Sequence, residues 1–149
     1  MKTALKYGSI IAVCFIAWVA IAHQLYPDPH SSAHTVGASI FVNIVQIIAI
    51  VLGIRDVKRA NDDVLQFKDG LKTGVGISAV YAVLASLFFV IALSVLGTKM
   101  LAVEPGAEVK PLWQVILGAF LGLGIGAVLL GLVYSAIASF ALATRRDRG

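Results

Sequence analysis

Few residues of this chain could do chemistry. Asn43 and Gln46 are amides three positions apart, inside a run from Val36 to Ile54 that contains no Asp, Glu, Lys or Arg. At helical spacing they share a face. Buried amides need partners, and each such contact in a membrane contributes about 0.6–2 kcal/mol. Two uses follow: an interhelical clamp, with Ser78, Ser86 or Tyr81 as partner, or a polar lining for a small ligand. His23, His30 and His34 are close in sequence, with Asp28 among them. Pro27 and Pro29 interrupt them, so no single helix aligns them as metal ligands. A solvated loop is the expectation. His23 stands at the far edge of the first apolar run and is the one candidate ligand for a haem or chlorin. The single cysteine, Cys14, has no partner for an internal disulfide. No metal or other cofactor is expected.

The elements that must position these residues are set by composition. Of 149 residues, 59% are apolar and only 13% charged. Soluble domains carry roughly 25% charged residues. A water-soluble enzyme, a disordered tail and a nucleic-acid-binding domain are thereby excluded, and a compact membrane domain remains. Crossing ~30 Å of hydrocarbon at ~1.5 Å per residue takes about 20 residues. Four runs qualify: 5–25, 36–54, 73–96 and 112–143. Pro27-Asp28-Pro29, Asn61-Asp62-Asp63 and Pro105-Gly106 punctuate the connections. Ala20-Ile21-Ala22 resembles a signal-peptide cleavage site, but the first run is long for a cleaved signal.

Orientation follows from the cations. Ten of the twelve Lys and Arg flank the N-terminus, the linker 55–72 and the C-terminus; Lys99 and Lys110 are the other two. Basic residues stay cytoplasmic. The expected fold is therefore all-α, a four-helix bundle in one transmembrane domain, residues 1–149, with both termini cytoplasmic. Between Tyr7 and Leu25, and within the other three runs, there is no Asp, Glu, Lys or Arg to serve a proton or ion pathway. The spans contain neither a Ser/His nor a paired-Asp protease site, and their glycines lack the Lys or Ser of a phosphate loop. The chain is expected not to be an enzyme.

Small residues suggest how the spans pack. Gly118, Gly122 and Gly126 recur every four residues in the fourth span, and Gly74, Ser78 and Ala82 in the third. Steps of four fall on one helical face, where small side chains let backbones approach. The two stripes are expected to face each other in a tight hairpin, with a homodimer face as the alternative. In the linker, Val64, Phe67 and Leu71 follow i, i+3, i+7 spacing. They predict an amphipathic helix from about Asp62 running into the third span, its apolar face available to the bilayer interface or to a partner. Five basic residues there are offset by four acidic ones, so attraction to anionic lipid is a weak expectation.

The stretch Gly53-Ile54-Arg55, followed by Phe67, Leu71, Lys72 and Gly74, and the opening Leu5-Lys6-Tyr7-Gly8, resembles an uncharacterised family of small bacterial four-span membrane proteins. This is the domain-of-unknown-function family numbered 4199. Asp62-Asp63 stand where that family usually has a loop glycine. The resemblance implies four spans and a cytoplasmic amphipathic linker, and no catalytic residues. The resulting expectation is a non-enzymatic inner-membrane protein, an accessory subunit or homo-oligomer acting through helix packing. Its partners would be the bilayer and a larger membrane complex or a second copy, with no nucleic acid. The alternatives are a small-molecule or lipid-binding, channel-like protein on the Asn43/Gln46 face, and a cofactor-binding subunit using His23.

Overall fold

A computed structural model describes residues 1–25, 32–96 and 111–143. Within them the chain forms four helices: α1 (Lys2–Leu25), α2 (Ser32–Ala60), α3 (Phe67–Leu96) and α4 (Leu112–Leu142). Each has 24 to 31 residues and is apolar and long enough to span a bilayer. The protein is an all-α, multi-pass membrane protein. Tyr26, Pro27, Asp28, Pro29, His30, Lys99, Pro105, Gly106, Lys110, Arg145, Arg146 and Arg148 lie outside the described residues. So do the side chains of His23 and His34.

The start of α1, the end of α2, the start of α3 and the end of α4 meet at one end of the bundle, called here the basic end. Lys6 of α1 pairs with Asp56 of α2 at 3.4 Å, and the Tyr7 hydroxyl donates to the same carboxylate at 2.7 Å. Lys58 of α2 donates to the Leu142 carbonyl of α4 at 3.2 Å. α1 and α3 therefore run parallel, as do α2 and α4.

The core is built mainly by α1, α2 and α3. Tyr7, Ile11, Ile50, Ile54, Ile77 and Tyr81 are buried together, with Ala138 of α4 beside them. Phe15 meets Tyr81 edge-on at 6.3 Å, and Phe88 at 6.5 Å. Such edge-to-face pairs each contribute about 0.5–1.5 kcal/mol beyond their buried area. α4 buries the smallest share of its apolar stretch, 6% against 33% for α3. Its buried residues all fall between Gly131 and Ser139, and those of α2 between Gln46 and Ile54. α2 and α4 thus bury residues fully only near the basic end; over their other halves they are at most half-buried, with Phe41 of α2 stacked on Trp18 of α1 at 4.6 Å.

The linker departs from the sequence expectation. α2 continues through Ala60, and α3 begins at Phe67 rather than near Asp62. Between them Asp62 and Asp63 adopt left-handed backbone, with φ of 51° and 60°. The Asp63 amide closes the end of α2 by donating to the Lys58 carbonyl at 3.1 Å. Asp tolerates this conformation better than most residues, though a helix cannot run through it. Val64 therefore precedes the helix, and the Val64/Phe67/Leu71 face does not form as drawn. Val64 and Phe67 are exposed, Leu71 is half-buried, and Leu65 is the linker residue sunk into the core.

Candidate functional site

The polar residues inside the spans gather where α2, α3 and α4 converge. Gln46 is 2% exposed. Its amide nitrogen donates to the Ser78 hydroxyl of α3 at 3.2 Å and to the Ala127 carbonyl of α4 at 3.1 Å. A carbonyl partner accepts only from N–H, so this second bond fixes which way the amide is turned. Ser78 donates in turn to the Gly74 carbonyl at 3.1 Å. Asn43, one turn away on α2, accepts from the Tyr134 hydroxyl at 2.6 Å and donates to the Ser39 carbonyl at 2.7 Å. One amide ties three helices and the other ties two. Of the partners expected for them, Ser78 is used by Gln46. Tyr134 was not foreseen, and Ser86 keeps a buried hydroxyl with no partner among the described residues.

Small residues meet between α3 and α4, along a line of α4 other than the expected one. At Gly74 an added Cβ would strike the Ser135 side chain, with Ile50 Cγ2 at 3.1 Å. At Gly131 it would strike Ser78, with Gln46 Nε2 at 3.1 Å, and at Gly70 it would lie 2.5 Å from Ser139 Oγ. Glycine on one helix thus faces serine on the other along the pair, and Ser135 bonds back to the Gly131 carbonyl. Gly74, Ser78 and Ala82 are buried. Gly118, Gly122 and Gly126 are not part of this seam. A Cβ at any of the three would meet nothing within 4 Å. α4 turns its Gly131/Ser135/Ser139 line to α3, and the 118/122/126 line lies on a different face.

Two of those open glycines border a cleft. Gly122 and Gly126 face Ser39, Asn43 and Gln46 across a cavity of about 280 Å³, with Phe15 and Tyr81 among its walls. Its lining is mostly apolar, as ligand clefts are. On another side of α4, an apolar groove of about 380 Å³ runs between α3 and α4, with Ser86 and Gly124 in its lining. Among the described residues no three His, Cys, Asp or Glu group as metal ligands would.

The chain belongs to the family described as Protein of unknown function (DUF4199), which it matches over residues 6–104. That span takes in α1 beyond its first turn, all of α2 and all of α3. No curated protein and no solved structure matches the chain.

Proposed function

We propose that this is a non-enzymatic protein of the bacterial inner membrane, a structural or accessory subunit that acts through helix packing, and that its packing surface is the open glycine face of α4. The observation that carries this reading is the empty space at Gly118, Gly122 and Gly126. Three glycines at four-residue steps form a backbone groove, and such grooves are used for close helix approach. The other glycines of the α3–α4 pair show the same use already made within the chain. The occupant assigned is α4 of a second copy. Two copies inserted the same way, both termini cytoplasmic by the distribution of Lys and Arg, can align their α4 helices about a twofold axis along the membrane normal. Groove then meets groove, crossing near Gly122. The test is Gly122→Leu, scored by size in mild detergent and by cross-linking in the native membrane. Loss of a wild-type dimer with an unchanged melting temperature of the chain supports the reading. A wild-type protein that is monomeric in both settings overturns it.

A second reading rests on the cleft itself. Gln46 spends its nitrogen on two acceptors, while its carbonyl oxygen accepts no bond among the described residues. A small amphiphile or lipid offering a hydroxyl or N–H would fit a cavity of that size and lining. Native mass spectrometry separates the two readings. A retained small mass that Gln46→Leu releases while oligomeric state holds favours the ligand.

A further inference from the structure

We infer that the basic end carries a binding site for the phosphate of an anionic phospholipid headgroup, formed where α2 leaves the bilayer beside the end of α4. Arg55, Lys58, Arg59, Asp63 and Leu142 line a recess of about 320 Å³. The three cations occupy i, i+3 and i+4 positions and so share one side of α2. The last turns of α2 sort their charges by direction. Asp56 turns to α1, where it is held by Lys6 and Tyr7, and the bases line the recess towards α4. Asp63 is the one carboxylate in the lining, and Arg59 also feels Asp56 at longer range.

The cations have separable tasks. Lys58 is committed to the Leu142 carbonyl at 3.2 Å, which offsets the negative end of the α4 dipole. That leaves Arg55 and Arg59, both exposed, to present guanidinium forks one turn apart. Guanidinium matches phosphate oxygens bidentately, where an ammonium acts as a point charge. The recess begins one residue past the apolar run that ends at Ile54, at headgroup depth, and Leu142 supplies an apolar wall for the glycerol and first acyl carbons. Basic recesses between spans at this depth suit anionic lipid. The near-neutral linker sequence concealed the site, because its acids and bases are interspersed along the chain, whereas in space Asp56 is held at α1 and Asp63 is the one acid left beside the three bases.

The test uses the full chain purified in mild detergent, with native mass spectrometry counting retained cardiolipin against phosphatidylcholine. The wild type should retain the anionic lipid at least about tenfold better. Arg55→Gln/Arg59→Gln should reduce it to the phosphatidylcholine level. Lys68→Gln/Lys72→Gln removes the same charge from the start of α3 and should leave it unchanged. No preference in the wild type, or equal loss in both double variants, overturns the site. Displacement of the lipid by millimolar inorganic phosphate would make free phosphate the ligand and overturn the lipid assignment. If the Gln pair fails to fold, Arg55→Lys/Arg59→Lys decides. It preserves charge, so severalfold weaker retention supports a bidentate clamp, and full retention reduces the site to a charge patch.

Discussion

Gln46 and Ser86 present opposite cases of a polar side chain buried in a membrane bundle. Gln46 holds two helices through its nitrogen, and replacing it by Leu removes the interhelical bond that the Ala127 carbonyl accepts beside its own helical one, and a partner of Ser78. Gln46→Leu should lower stability by about 0.6–2 kcal/mol, visible as a lower melting temperature in detergent. Ser86, at 1% exposure, has a hydroxyl unpaired among the described residues. An unmade bond of this kind costs roughly 1–3 kcal/mol, so Ser86→Ala should leave the melting temperature level or raise it. The amides were legible in sequence because they interrupt an uncharged apolar run at a spacing that puts them on one face. The partner of Asn43 was not. Tyr134 is 91 positions away, and its reach depends on where α2 and α4 cross, which no pattern within either helix encodes.

At the scale of the element, the four helices could be read from uninterrupted apolar length, since a bilayer leaves the backbone little alternative to helix. Their ends could not. α2 runs six residues past Ile54, carried by Asp56, Lys58 and Arg59, whose charges find partners or solvent at its end. α3 starts late because two successive Asp residues take left-handed backbone. The glycine periodicity identified helices suited to close contact without identifying which face makes it. Two lines of small residues run along α4, Gly118/Gly122/Gly126 and Gly131/Ser135/Ser139, and only the second meets α3. Gly131→Leu should therefore disrupt the bundle, costing at least about 1–3 kcal/mol as overpacking does, since its Cβ would enter Ser78. Gly122→Leu should leave the melting temperature of the chain within error. Comparable losses from both substitutions would mean that the open line is filled by the chain itself.

For the whole molecule, the orientation expected from ten cations against two is checked by labelling. With Cys14→Ser as background, Ser32→Cys should react with an impermeant thiol reagent on intact cells and Asn61→Cys should not. The reverse pattern would invert the topology. The uneven distribution of burial along the bundle has a dynamic consequence. The fully buried positions of α2 lie between Gln46 and Ile54 and those of α4 between Gly131 and Ser139, while the first halves of both helices are at most half-buried. Segments with few buried contacts open before the rest of a protein does. The molecule should therefore part like a zip, from the end away from the termini, with the first halves of α2 and α4 separating while the Gln46 junction holds. Amide hydrogen exchange should run faster over 112–126 than over 131–139, and Gln46→Leu should carry the fast regime further along α4, since that side chain is where the opening stops.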